Sequence, residues 1–181
     1  MDLISILMEC FKEGIPDEEK RYKYIVEECI YMSELNKWNV YIVEKMINPE
    51  KKYKINMNEG DTLELDIKKK WGIGGFDVVV GNPPYNKPKQ QEKRKGGYGG
   101  LSLWDKFVEK SINKFLNKDG YLLFITPPSW RKPEHKLFNL MTQETQLIYL
   151  KCLTESESKK QFKCSTLVDY YIIKKTPRYT T

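Results

Sequence analysis

The sequence predicts an α/β fold built on a mostly parallel sheet. Three observations carry this expectation. Residues 76–81 (FDVVVG) and 121–126 (YLLFIT) read as buried strands, the first closed by a glycine and both followed by a proline pair. Segments of helical spacing alternate with such runs, as crossovers between parallel strands require. Two β-rich stretches near the end, 147–153 and 166–174, flank a polar segment and read as an antiparallel hairpin.

In chain order, Leu3, Leu7 and Phe11, with Ile4 and Met8 beside them, follow helical spacing until Gly14. Asp17 caps a second helix, and Glu18 and Glu19 suit the positive end of its dipole. Both helices read as structural. Residues 29–32 form a short strand ending in Ser33-Glu34, and a helical stretch runs from Val40 to Ile47. An edge strand precedes Gly60-Asp61-Thr62. The polar run 68–70 and the flexible residues 72–75 then lead to the central strand.

Val78, Val79 and Val80 give that strand the pattern of burial on both faces. Gly81 ends it, and Pro83-Pro84 prevents either strand or helix from continuing. Asn82 therefore sits at the carboxyl edge of the sheet, where open α/β sheets bind ligands. Downstream, Leu103, Phe107, Ile112 and Phe115 mark a helix that returns to the strand at 121–126. The loop that follows, residues 127–131, lies at the same edge. Its Trp130 either lines a pocket or packs in the core.

Composition narrows the function classes. The chain has 181 residues, 31% charged and 40% hydrophobic, which suits a folded domain with a real core. No apolar run approaches the length of a membrane span, and the N-terminus does not read as a signal peptide. Cys10, Cys29, Cys152 and Cys164 are widely spaced, and the chain has one histidine. That argues against a zinc site or a disulfide framework, and fits a reducing, cytoplasmic compartment. A net charge of +6 fits a polyanionic partner. Much of it lies in residues 86–102, where Lys87, Lys89, Lys93, Arg94 and Lys95 face the single acid Glu92 among glycines. Such a segment cannot build a core. It reads as a mobile basic loop that contacts nucleic-acid phosphates, or as a merely solvated one.

The turn at 82–85 suits a particular chemistry. Pro83 lacks an N–H, and its carbonyl and the Asn82 side-chain oxygen are paired acceptors. Paired acceptors match a flat amino group with two hydrogens to give. Tyr85 offers a face on which the ring bearing that amine stacks, as flipped nucleobases are read.

Asn82-Pro83-Pro84-Tyr85 after an apolar strand resembles the catalytic motif of the amino-group DNA methyltransferases, the adenine-N6 type in particular. The resemblance implies a Rossmann-like methyltransferase fold, S-adenosylmethionine as cofactor and DNA as substrate. It implies that Glu34 accepts from the ribose hydroxyls and Asp61 from the adenine amino group of the cofactor. Asn82 then adjoins both cofactor and target, and Phe162 joins Tyr85 in stacking on the flipped base. The bland alternatives are a solvated glutamate for Glu34 and a buried hairpin residue for Phe162.

Against that family the chain lacks the first strand and its glycine loop. The expectation is therefore a single, incomplete catalytic domain over residues 1–181, without a separate target-recognition domain and with a gap in the ladder beside the central strand. Another polypeptide is expected to supply the first strand, and the chain alone is expected to bind the cofactor weakly or not at all. Two alternatives are a non-catalytic remnant that binds nucleic acid or a partner protein, and a methyltransferase acting on protein glutamine or RNA.

Overall fold

In the computed structural model, which describes residues 3–86, 102–163 and 166–177, the strands divide between two sheets. The chain divides with them into two units, Met1–Asp66 and Ile67–Thr181.

In the first unit, helix α1 (Leu3–Cys10) forms where the apolar spacing predicts it, although none of its residues is fully buried. Helix α2 (Glu18–Tyr24) starts at Asp17, whose carboxylate accepts from the Lys20 N–H at 2.8 Å. It widens into a π-type turn, Ile25–Cys29, that buries Ile25 and Val26. Strands β1 (Tyr31–Glu34) and β2 (Asn56–Glu59) pair in parallel, with Tyr31 opposite Asn56 and Glu34 opposite Glu59. Helix α3 (Lys37–Ile47) joins them. It begins three residues before Val40 because the Asn36 side chain accepts from the Trp38 N–H at 2.9 Å. The cap, rather than the first buried residue, fixes the helix start.

The second unit opens on α4 (Ile67–Trp71), a short helix where the sequence reads as a polar link. Buried Ile67 anchors it. Strand β3 (Phe76–Gly81) pairs in parallel with β4 (Leu116–Thr126). The crossover between them contains α5 (Trp104–Lys110) and a π-type turn, Ser111–Phe115. Strand β6 (Asp169–Lys174) lies antiparallel to both β4 and β5 (Gln146–Cys152), giving the order β3-β4-β6-β5. The polar segment between β5 and β6 is helical: α6 (Glu155–Phe162) starts from a Thr154–Glu157 capping box. β4 starts before the expected strand, and the register jumps from Phe76↔Leu116 to Val78↔Tyr121. Gly120 makes that jump possible. A Cβ there would stand 3.0 Å from the Phe76 carbonyl oxygen and 3.1 Å from that of Asp77.

One face of this sheet carries the core. Leu122, Phe124, Tyr171 and Ile173 pack with Trp104 and Val108, and Val79 joins them from β3. The other face corrects an expectation. Val78 and Val80 are 52% and 61% exposed, so β3 is not buried on both faces. Among the described residues β3 pairs with β4 alone, and these two side chains leave the sheet opposite the core. The valine run reflects strand propensity here, and burial is one-sided. No helix among the described residues is long and apolar enough to cross a membrane.

Candidate functional site

The turn after β3 is held from inside and open outside. Gly81 passes close over the Phe124 ring, where a Cβ would come within 3.1 Å of Cε1. Pro83 is buried, and Tyr85 is half-buried against the core. Asn82 and Pro84 are exposed. The Tyr85 carbonyl accepts from the Leu103 N–H at 3.1 Å, and Asn86 and Ser102 form an antiparallel bridge. Lys87, Lys89, Lys93, Arg94 and Lys95 lie outside the described residues.

After β4 the chain makes a 3-10 turn, Pro128–Arg131. Trp130 is buried edge-to-face on Tyr171, with centroids 5.7 Å apart, so it packs in the core. Next to it, Arg131 Nε meets Asp169 Oδ2 at 3.0 Å. Asp169 is 1% exposed. Burial pushes its carboxyl up, and the Arg131 guanidinium offsets part of that rise. This ion pair ties the loop after β4 to the start of β6. Sequence reasoning missed it; the available signal was a lone acid heading an apolar strand. Phe162 ends α6 and is 37% exposed, so it is not a buried hairpin residue. Lys163, in the left-handed region at φ 53°, turns the chain away just after it.

In the first unit, Glu34 and Asp61 share the carboxyl edge of the β1–β2 pair. The Gly60 N–H donates to the Glu34 carbonyl at 3.0 Å, joining the two strand ends. Glu34 Oε1 accepts from the Asn36 N–H, and Asp61 Oδ1 from the Leu63 N–H, each at 2.8 Å. Both carboxylates are thereby oriented by their own backbones. Beneath them, the Ser33 and Thr62 hydroxyls lie 2.8 Å apart, and the Asn58 amide donates to Ser33 at 3.0 Å. Leu35, directly after Glu34, is an exposed apolar side chain, and sequence reasoning passed over it. Two carboxylate acceptors on one strand edge, with an exposed apolar side chain next to Glu34, suit a nucleoside, which has hydroxyls and an amine to donate and a flat ring to cover. Glu34 and Asp61 thus come together on one edge, while Asn82, Tyr85 and Phe162 belong to the other unit.

Residues 10–158 match the model of the Eco57I restriction-modification methylase family. The chain belongs to that family. The family match includes Glu34, Asp61 and the 82–85 turn, and stops short of Phe162 and Asp169. The modification methylase CviBIII of Paramecium bursaria Chlorella virus NC1A is 37% identical over 59 residues, 32% of this chain and 16% of that protein. An uncharacterized adenine-specific methylase of Mycoplasma pneumoniae (strain ATCC 29342 / M129 / Subtype 1) is 31% identical over 84 residues, 46% of this chain and 18% of that protein. The matched segments are thus under a fifth of either relative's length. Among solved structures, the ATP-dependent Type ISP restriction-modification enzyme LlaBIII, bound to DNA, aligns with a TM-score of 0.66 at 16% identity, covering 98% of this chain and 16% of that one. Solved S-adenosylmethionine-dependent methyltransferases have the same Rossmann-like fold. The two sheets of this Eco57I-family chain, each with a parallel strand pair, belong to that fold.

Proposed function

We propose that this chain forms part of the catalytic domain of an adenine-N6 DNA methyltransferase acting in the cytoplasm. The observation that carries the reading is the turn after β3, with Asn82 facing solvent at the carboxyl edge while Pro83 and Tyr85 hold it from within. S-adenosylmethionine, when bound, supplies an activated methyl group. Glu34 accepts from its ribose hydroxyls and Asp61 from its adenine amine, with Leu35 against the ring.

Asn82 Oδ1 and the Pro83 carbonyl accept from the exocyclic N6 of a flipped adenine. That amine is a weak nucleophile because its lone pair is delocalised into the ring. Two fixed oxygens that accept its hydrogens would localise the lone pair on N6. The S–C bond to the methyl group would break as the N–C bond forms, the neutral thioether would leave, and the surplus N6 proton would pass to solvent at exposed Asn82. Placement and electrostatics thus carry the rate. Extruding the base costs a few kcal/mol. Stacking on Tyr85 and Phe162 returns about 1–3 kcal/mol per ring, which covers that cost.

The outer edge of β3 is unpaired among the described residues and suits a further strand, and an element accompanying that strand would cover Val78 and Val80 on the open face. Another polypeptide, or another segment of a longer chain, supplies that strand. Isolated, the 181-residue chain is expected to bind S-adenosylmethionine weakly or not at all.

The reading is tested by purifying the chain from its own host with its associated polypeptides, then supplying methyl-labelled S-adenosylmethionine and DNA. The expected product is N6-methyladenine, identified by nucleoside mass spectrometry. Label in protein or RNA, with none in DNA, contradicts it.

The basic segment is proposed to clamp DNA phosphates beside Tyr85, because its two ends meet there. Neutralising Lys93, Arg94 and Lys95 together is expected to weaken DNA binding. The slope of log affinity against log salt should flatten by roughly 2–3. An unchanged slope returns the segment to a solvated loop.

A further inference from the structure

Helix α3 is apolar on two opposite faces. Val40 is buried and Val43 and Ile47 partly so on one side, where the helix packs on β1 and β2. Trp38, Tyr41, Ile42 and Met46 occupy the other side and are 52–76% exposed. An outward face that carries four large apolar side chains is unusual for a surface helix and calls for a partner. Large aromatic and methionine side chains are also the types enriched at protein interfaces.

The outward face is complementary to itself. Trp38, Ile42 and Met46 form one i, i+4, i+8 row, the ridge used in the commonest mode of helix–helix packing. When two copies cross antiparallel about Ile42, residue 38 of each faces residue 46 of the other. Each indole then meets a thioether, a favourable sulfur–aromatic contact, and the two helix dipoles oppose. Lys45, whose Nζ lies 5.8 Å from its own Tyr41 ring centroid, stands on this face between Tyr41 and the row, and its long side chain can carry the charge out to the rim. A twofold contact requires this kind of self-matching patch.

The four exposed side chains offer roughly 500 Å² per copy, since aromatic side chains alone bury about 150–250 Å² each. Doubled, that reaches the ~1,000 Å² that a specific interface must clear, at the weak end of the range. We propose that the outward face of α3 is a homodimer interface, with two copies crossing antiparallel at Ile42 and dissociating in the micromolar range.

Sedimentation velocity of the full 181-residue chain between about 1 and 100 μM tests this. The expected result is a monomer–dimer equilibrium. Ile42→Lys, which sets two like charges against each other on the twofold, should raise the dissociation constant at least about tenfold. Its circular dichroism, and its melting below the dissociation constant where both proteins are monomers, should stay unchanged, because Ile42 is half-exposed. Mixing Ile42→Lys with Ile42→Glu should restore the dimer as a heterodimer. Three results each overturn the proposal: a native chain that stays monomeric throughout, a dimer insensitive to Ile42→Lys, or no rescue on mixing. None of these outcomes depends on methyl transfer.

Discussion

Asn82→Ala is expected to lower methyl transfer by about 10²–10³-fold or more, the effect of removing one preorganised group at a site of developing charge. Folding should be nearly untouched, because the side chain is exposed and nothing among the described residues hydrogen-bonds it. The melting curve of the variant therefore separates a chemical loss from a structural one. Asn82→Asp keeps an oxygen acceptor in place and should retain more activity than Ala. If Ala and Asp fall equally, acceptance of a hydrogen bond is not what Asn82 contributes. Tyr85 gives a matching contrast. Phe at this position keeps the stacking face and should keep most of the activity, whereas Ala loses a contact of about 1–3 kcal/mol with the base. Single-turnover rates on the complete assembly measure all four variants.

The second large effect is on stability. Arg131→Met leaves the Asp169 carboxylate buried without its counter-charge, and removing one partner of a buried pair costs about 3–5 kcal/mol. The lower end, about 3 kcal/mol at neutral pH, is expected because the Arg131 side chain is itself nearly half-exposed and gives up less than a buried one. Asp169→Asn should cost less, about 1 kcal/mol, since it removes the charge along with its partner's role. The pH dependence has a definite sign. Burial holds the folded carboxyl above its unfolded value of 3.8, so between the two values the native state binds more protons than the unfolded one. Acidification through that window therefore favours the fold, and stability falls as pH rises through the folded value. Without Arg131 the folded value climbs further, so the defect of Arg131→Met should shrink on acidification. Urea unfolding across pH reads both numbers. A pH-independent loss, or one below about 0.5 kcal/mol, would mean the pair does not anchor the loop.

How much of this was legible in the sequence follows from what each feature depends on. The turn at 82–85 was legible because two prolines dictate its backbone whatever surrounds them. The strands before Glu34 and Asp61 were legible for a similar local reason: the apolar run 29–32 ends at Ser33-Glu34, and the alternating Ile55-Asn56-Met57-Asn58 ends at Gly60. The one-sided burial of β3 was not legible, because Val78 and Val80 read the same whether or not anything covers them. Helices α4 and α6 were hidden by lysine-rich stretches, and their existence rests on a buried Ile67 and on the Thr154–Glu157 capping box. The Arg131–Asp169 pair joins residues far apart in the chain, and no local pattern announces it. Trp130 was ambiguous for the same reason, and Tyr171, on a later strand, makes it a core residue.

The most direct measurement is a structure of the complete assembly with DNA and an unreactive analogue of S-adenosylmethionine. The target adenine should stand outside the duplex, its N6 within hydrogen-bond distance of both Asn82 Oδ1 and the Pro83 carbonyl and its ring against Tyr85. An adenine left in the helix, or one extruded elsewhere with Asn82 facing only water, would contradict the account.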